Sequence, residues 1–297
     1  MRRPRRAAAL LAALAAAAAA CAQAAPAFPP SVPQGALVIG HVEPGSQVRY
    51  AGRELRVAPD GSVAFGVGRD EKGPVAVEVR RGSARERVAI DVTPRDWPVE
   101  RVAGVPPATV EPPPEVAERI RREQARVSAA RQRDDAREEF LQTFIWPVRG
   151  RISGRFGNQR VYVVDGADVP KAPHSGMDIA APKGTPVKAP AGGIVTFADA
   201  DLYLTGGTVL IDHGHGVSSN FLHLSRIDVK VGDRVRQGEV IGAVGMTGRA
   251  SGPHLHWGLN WFDVRLDPLL LDGIAPARAA AAQPGRSGAA KAGANGS

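Results

Sequence analysis

The sequence predicts a mainly β protein whose chemistry lies in its C-terminal half. Short runs rich in valine and isoleucine alternate with glycine turns from residue 31 to about 98 and again from about 144 to 273. This pattern is typical of short strands joined by tight turns. All but one of the seven histidines lie between positions 174 and 256. Such a density of imidazoles indicates a metal or catalytic site in the second of these regions.

The first 24 residues have the layout of a secretory signal peptide. Four arginines among the first six residues precede an apolar run from Ala7 to Ala20, and small residues follow around Ala22-Gln23-Ala24. The run is shorter than the roughly 20 residues that a membrane-spanning helix needs. We therefore expect an exported, periplasmic mature protein without a transmembrane segment, with lipid anchoring through Cys21 as the alternative.

The charge pattern argues against a nucleic-acid partner. The 38 lysines and arginines and 30 aspartates and glutamates give a formal net charge of +8, and half of that excess comes from the four signal-peptide arginines. Elsewhere basic residues are interleaved with acidic ones, whereas nucleic-acid-binding proteins cluster basic residues with aromatic ones. We expect no nucleic acid to bind.

Residues 31–104 are predicted to form a small β-sandwich-like domain. Apolar residues recur at every second position after the turn signals Pro59-Asp60-Gly61 and Gly82-Ser83. The region has no histidine cluster of its own. We interpret it as a spacer or docking domain, and residues 31–142 as a possible attachment point for a recruiting protein.

A linker, a helix and a second β domain are predicted to follow. The proline-rich residues 105–114 cannot continue a strand or helix. Glycine and proline are absent from residues 115–142, where charges of both signs are dense, so a connector helix is predicted. Its apolar stripe is thin for a coiled coil, which favours a solvated helix over partner binding. Residues 144–273 form the predicted all-β catalytic domain, and residues 274–297 a disordered tail.

Two short motifs supply good metal ligands. His174-Ser-Gly-Met-Asp178 offers an imidazole and a carboxylate four positions apart. In His254-Leu-His256, a strand would point both imidazoles to the same face. A catalytic zinc ion takes three protein ligands and leaves a fourth position for water. The two motifs together contain enough ligands for one ion.

A hydrolytic metal site also needs a group that accepts a proton and groups that stabilise an oxyanion. The sequence has no HExxH glutamate for this task, so the remaining imidazoles must perform it. His223 is one candidate. Whichever of His254 and His256 does not bind metal is the other.

The order and spacing of HxxxD, HLS and HLHW resemble those of the lysostaphin/LytM-type zinc metallo-endopeptidases, which hydrolyse peptidoglycan. The resemblance covers about residues 146–270 and includes the connecting segments GTPVKAPAGGIV and GDRVRQGEVIGAVGMTG. It implies an antiparallel β-sheet that forms the floor of a groove. Less specifically, residues 34–98 resemble the small β domain that precedes the peptidase in some exported members.

The resemblance also implies roles for individual residues. His174, Asp178 and His256 would bind one Zn²⁺ per chain, while His223 and His254 would act on water and the oxyanion. The substrate would be the peptide stems of peptidoglycan, cut at a cross-link that the sequence does not identify.

The sequence allows three other interpretations of the whole protein. A regulatory family member would bind the wall or an amidase without cleaving, but such members usually lack the metal ligands. A lipoyl- or biotin-carrier resemblance at residues 229–239 lacks the lysine at the hairpin tip. A peptidase of ordinary proteins remains the third, because zinc hydrolysis does not itself select a substrate.

The remaining histidines and the tryptophans favour structural roles. His213 and His215 form a second HxH, but the flanking glycines predict a turn and a structural or groove-edge role. His41 is interpreted as a surface or packing residue, and Trp257 and Trp261 as core or groove wall. Two segments are candidates to lie across the groove and limit access: the insertion from residue 159 to 171 and the predicted helix.

Overall fold

The computed structural model describes residues 25–274. The predicted signal peptide and nearly all of the predicted tail lie outside these residues. Within residues 25–274 no helix is long and apolar enough to cross a membrane. The described chain is mainly antiparallel β, which confirms the predicted fold class.

The N-terminal region contains two small sheets. Its seven strands are β1 Ser31–Pro33, β2 Leu37–His41, β3 Gln47–Tyr50, β4 Arg53–Leu55, β5 Ser62–Gly66, β6 Val75–Arg81 and β7 Ala84–Thr93. The five-stranded sheet has the order β1-β7-β6-β3-β4, and β2 pairs with β5. In β6, the three valines at alternate positions are buried and face the core, as the period of two predicts.

The connecting region is more structured than a linker and one helix. Its elements are β8 Val99–Val102, α1 Pro107–Val110, α2 Pro114–Arg131 and a 3₁₀ turn Glu139–Leu141. Both helices begin with proline, which suits the first helical position because its missing N–H would have no helical partner there. The proline-rich residues 105–114 therefore start helices, and the prediction of a linker alone was wrong.

The helix predicted over residues 115–142 ends at Arg131. Beyond it, the Asp135 carboxylate accepts a hydrogen bond from the backbone N–H of Arg137, and Arg56 pairs with Asp134 at 2.6 Å. These contacts outweigh the local helix propensity, because capping and tertiary contacts routinely override it. The helix is also not solvated all round, since Val127 packs against the Phe197 cluster of the catalytic sheet.

The catalytic region is built on one large sheet. Its strands are β9 Arg151–Gly154, β10 Gln159–Val164, β11 Ala167–Pro170, β12 Met177–Ala180, β13 Pro186–Lys188, β14 Gly193–Leu202, β15 Gly206–Gly214, β16 Val217–Leu224, β17 Arg226–Ile227, β18 Arg234–Val235, β19 Val240–Ala243, β20 His254–Trp261 and β21 Val264–Leu266. The sheet has the order β18-β14-β15-β16-β20-β12-β9, with β21 paired to β20. A smaller sheet has the order β13-β19-β17, and a 3₁₀ turn Pro268–Leu270 follows β21.

The predicted insertion 159–171 forms the β10–β11 hairpin. Strand β8 adds to it in parallel, with Val99 opposite Gln159 and Val102 opposite Tyr162. Because β8 lies inside the predicted N-terminal domain 31–104, that domain contributes a strand to the catalytic region. At the other end, Ile274 is buried in the main core, so the predicted tail 274–297 begins one residue too early.

One hydrophobic core joins the N-terminal and catalytic regions. The ring of Tyr50 lies 4.2 Å from Phe65 and 5.7 Å from Trp261 of β20, measured between centroids. An ion pair of 2.7 Å between Arg95 and the buried Asp267 closes the same interface. The two regions therefore hold each other in place.

Replacing Trp261 by alanine tests this shared core. A buried Trp→Ala change removes about 3–5 kcal/mol from the free energy of unfolding. We expect one cooperative transition at lower denaturant, seen equally by circular dichroism and tryptophan fluorescence. The control Val231→Ala, at a 60% exposed position, is expected to stay within about 0.5 kcal/mol of wild type. Two separate transitions, with only one shifted, would contradict the shared core.

Candidate metal centre and active-site groove

Strand pairing brings the two ligand motifs together. In the antiparallel pair of β12 and β20, Asp178 lies directly opposite His256 and Ala180 opposite His254. Directly opposed residues point to the same face of the sheet. His254 and His256 also share that face, as their spacing of two predicted. His174 reaches the same point from the loop that precedes β12.

Three side-chain atoms converge at this point. His174 Nε2 lies 3.0 Å from His256 Nδ1 and 3.0 Å from Asp178 Oδ1, and His256 Nδ1 lies 2.9 Å from the same carboxylate oxygen. Asp178 and His256 are buried. The cluster therefore has the ligand number, ligand types and convergence of a single metal site.

The hydrogen bonds around the cluster fit a bound cation. His174 Nδ1 lies 3.0 Å from the backbone oxygen of Arg155, which places the proton on Nδ1 and leaves a lone pair on Nε2. That lone pair faces the carboxylate of Asp178. The Nε2 atom of His256 is buried without a hydrogen-bond partner among the described residues, so the polar contacts of this ring all lie on the Nδ1 side. A cation among the three ligand atoms resolves the opposed lone pairs.

A buried arginine holds the carboxylate in position. Arg160 donates from Nη2 to Asp178 Oδ2 at 2.7 Å, which leaves Oδ1 for the two imidazoles. A Cβ atom on Gly154 would lie 2.5 Å from both of these atoms, so only glycine admits the pair. Burial raises the pKa of Asp178, but the charges and hydrogen bonds of His174 and His256 outweigh it and hold that pKa well below its ordinary value. The carboxylate is therefore ionised at neutral pH.

His223 reaches the groove through an irregularity in its strand. Regular alternation along β16 would put it on the same face as Phe221, which lies opposite the buried Trp257. Instead, the register of β15 and β16 shifts at this end, and His223 has a φ of +64°. Positive φ is uncommon for a residue with a side chain and often marks a functional site. The irregularity turns the imidazole toward the groove.

His223 and His254 present their Nε2 atoms in matched ways. His223 Nδ1 lies 2.7 Å from the backbone oxygen of Thr247, and His254 Nδ1 lies 2.8 Å from that of Gly252. Each contact assigns the proton to Nδ1 and leaves Nε2 free to accept another. The two ring centroids are 4.8 Å apart. Burial lowers the pKa of His223 to about 3, with the neighbouring His254 and His256 adding to the effect.

All five predicted site residues line one cavity of about 1250 Å³. Its floor is the face of the large sheet. The helix α2 borders the cavity through Ile120 and Val127, and β8 borders it through Val102. The β10–β11 hairpin contributes Tyr162. Both segments that were predicted as candidates to lie across the groove contribute to its walls. That they limit access to the groove stays a prediction.

The other histidines lie apart from the cluster. His213 is fully buried in β15, with Nδ1 2.7 Å from the Gly192 oxygen and Nε2 2.9 Å from Ser219 Oγ, so the turn predicted there was wrong for this residue. His215 does lie in the turn, with a φ of +51°. His41 contacts Ser62 Oγ at 3.0 Å in the N-terminal region. Trp257 and Trp261 are both buried, in agreement with a core role.

Sequence reasoning missed Arg160 and the groove floor beyond the metal cluster. Arg160 lies in what the sequence presents as an insertion, and no spacing rule links it to Asp178. The period of two in β20 is the signal that places Gly258 and Asn260 on the same face as His254 and His256.

An antiparallel sheet that carries a His–Asp–His cluster, with two further imidazoles beside it in a groove, defines a metallopeptidase-like centre. The sequence model of Peptidase family M23 matches residues 172–268. A crystal structure described as an M23 peptidase from Pseudomonas aeruginosa is similar over 81% of this chain and 95% of that one, with 34% identity and a TM-score of 0.63. The chain belongs to peptidase family M23, as the motif resemblance predicted.

Curated relatives match over the catalytic region. The peptidoglycan DD-endopeptidase ShyA of Vibrio cholerae is 39% identical over 125 residues, which are 42% of this chain and 28% of ShyA. The DD-carboxypeptidase/endopeptidase Mpg of Neisseria meningitidis is 50% identical over 84 residues, which are 28% of this chain and 19% of Mpg. The chain thus spans under a third of these relatives. Their names support a peptidase activity for this region. The substrates that the names state are those of the relatives.

Arg160→Gln tests the support of the carboxylate. Loss of an outer hydrogen bond to a metal ligand typically costs 10–100-fold in metal affinity. We expect metal affinity to fall by about 10-fold or more, measured by competition with a chromophoric chelator. Arg101→Gln is the matched control, because Arg101 lies in β8 of the same small sheet and pairs with the exposed Asp168 of β11 instead of with a metal ligand. Equal affinities in the two variants would show that Arg160 does not position the ligand.

Proposed function

We propose that this protein is an exported, zinc-dependent endopeptidase that hydrolyses peptide cross-links of bacterial peptidoglycan. The convergence of His174 Nε2, Asp178 Oδ1 and His256 Nδ1 within 3.0 Å of one another carries the proposal. Two imidazoles and one carboxylate are the ligand set expected for a catalytic zinc. The names of the relatives support peptidoglycan as the substrate, and the composition of residues 1–24 supports export.

The side chains around the cluster would perform proton transfer and stabilise the oxyanion. A zinc ion held by the three ligands supplies Lewis-acid polarisation of a carbonyl and acidification of water. His223 is neutral at pH 7 and offers Nε2 as a proton acceptor, since its Nδ1–H is engaged by Thr247. His254 stands beside it, with the two ring centroids 4.8 Å apart, and is the second imidazole available for proton transfer and for the oxyanion. Burial of these rings strengthens their electrostatic effect on a bound peptide.

The cavity suits an extended peptide. Its floor is a sheet face, and its walls come from α2, β8 and the β10–β11 hairpin. The seven described strands of the N-terminal region carry no equivalent His–Asp cluster, which leaves spacing or docking as their proposed role. A protein that recruits the enzyme to the wall would bind there.

Zinc content and release of soluble muropeptides from purified sacculi test the function together. For the protein lacking residues 1–24, we expect about one zinc per chain and release of cleaved cross-links. His256→Ala removes a ligand and is expected to lose both. Zinc binding with intact sacculi would refute wall hydrolysis and favour another peptide substrate, and failure to bind zinc would refute the metal site.

His223→Ala separates chemistry from metal binding. We expect zinc content to stay at wild-type level while kcat falls by about 10²–10⁴-fold, the usual contribution of a general base. His41→Ala removes an imidazole far from the groove and serves as the matched control, with unchanged kcat. Full activity of His223→Ala would remove this residue from the proposed machinery.

A further inference from the structure

A second cluster of charge lies in the groove, away from the metal ligands. Arg131, the last residue of α2, is only 8% exposed, and its Nε has no hydrogen-bond partner among the described residues. The acidic group that approaches it is Asp263, at 3.8 Å. That carboxylate is 61% exposed and already accepts hydrogen bonds from Ser128 of α2 and from Gln132, the residue that follows the helix. The buried charge of Arg131 is therefore incompletely compensated.

Arg265 of β21 contributes a second guanidinium to the same cavity. Its Nη1 donates to Oδ1 of the buried Asn260, which fixes the group over this end of β20. Burial lowers the pKa of Arg265 to about 10, and the charge of Arg131 contributes to the same shift. Both arginines line the cavity that contains His223 and His256.

Burial of these two arginine side chains lowers the stability of the folded protein. Two like charges withdrawn from water, with a counterion that lies 3.8 Å from Arg131 and is mostly exposed, destabilise the folded state unless an anion joins them. A guanidinium presents its N–H groups in a planar fork that matches the two oxygens of a carboxylate. The lining of the cavity has two more cationic than acidic side chains, an excess equal to the charge of this pair, which favours an anionic ligand at this end.

We propose that Arg131 and Arg265 form a carboxylate-binding subsite that selects an acidic residue of the substrate peptide. This subsite rests on the proposed peptidase function, because it reads the substrate of the same groove. It acts at a distance from the cleaved bond and determines specificity, while the histidine cluster performs the chemistry.

The position of the pair in the sheet sets the spacing. His256, Gly258 and Asn260 follow one another on the same face of β20. From His256 to Asn260 the strand covers about 13 Å at its usual rise of ~3.3 Å per residue. An extended peptide on this floor therefore places the carboxylate about three to four residues from the scissile bond. Asn220 Oδ1 accepts from Asn260 Nδ2 at 3.0 Å, which makes the floor between the two sites polar.

A set of synthetic cross-linked stem peptides tests the subsite. In each member, one free carboxylate is replaced by a carboxamide, so that charge changes while size does not. For the wild-type protein with zinc, we expect one amidation to lower kcat/KM by roughly 10-fold or more, as loss of a charge-assisted hydrogen bond does. In Arg131→Gln and in Arg265→Gln, the acid and amide forms of that peptide are expected to differ by less than about 3-fold.

Matched variants separate this effect from general damage. Arg126→Gln removes the same charge from the same helix, where Arg126 pairs with the partly exposed Asp199, and it should keep the full wild-type preference. Arg265→Lys keeps a cation and should restore part of the preference that Arg265→Gln loses. A preference unchanged in both glutamine variants, or no amidation that lowers kcat/KM by more than about 3-fold in wild type, overturns the subsite.

Peptide binding to a variant that does not cleave distinguishes failure of the subsite from failure of the peptidase function. The affinity of the acid and amide peptides is measured by calorimetry with His223→Ala, alone and combined with Arg265→Gln. Arg265-dependent preference for the acid, without any cleavage by wild type, would sink the peptidase function and keep the subsite. Cleavage by wild type with equal affinity for both peptides would keep the function and sink the subsite.

Discussion

The antiparallel register of β12 and β20 is the constraint on which the site depends. It sets Asp178 directly opposite His256, so that a carboxylate and an imidazole from distant parts of the chain meet on one face. A slip of one residue would turn every side chain of a strand to the opposite face. The buried partners Ile179 and Leu255 oppose such a slip, because they would leave the core. Packing on the core side therefore fixes the metal site on the groove side.

Interactions outside the sheet refine this placement. The ion pair from Arg160 orients the carboxylate, and the shared core around Trp261 fixes the end of β20. The wall formed by α2 carries Arg131 to the groove, since Val127 packs that helix against the sheet. The segments between the two β regions therefore connect these regions and also form part of the cavity wall. The same helix therefore packs on the sheet and lines the cavity.

Short periods in the sequence predicted the fold class and the two ligand motifs, while the choice of His174, Asp178 and His256 as the ligands came from the resemblance to the lysostaphin/LytM-type family. The alternation in β20 and the fixed spacing of His174 and Asp178 are local properties that a strand or loop preserves. The end of α2 at Arg131 and the pairing of β8 with the hairpin were not predicted, because both depend on contacts between residues far apart in sequence. The orientation of His223 was not predicted for a similar reason. Alternation along β16 alone would point its side chain to the core, whereas the shifted register and the positive φ turn it toward the groove.

Anomalous diffraction at the zinc absorption edge, from crystals of the protein without residues 1–24, tests whether the cluster binds zinc. We expect one strong peak within about 2.0–2.2 Å of His174 Nε2, Asp178 Oδ1 and His256 Nδ1, the usual zinc–ligand distances. A peak held by other residues, or no peak at this cluster in crystals grown with excess zinc, would refute the metal site.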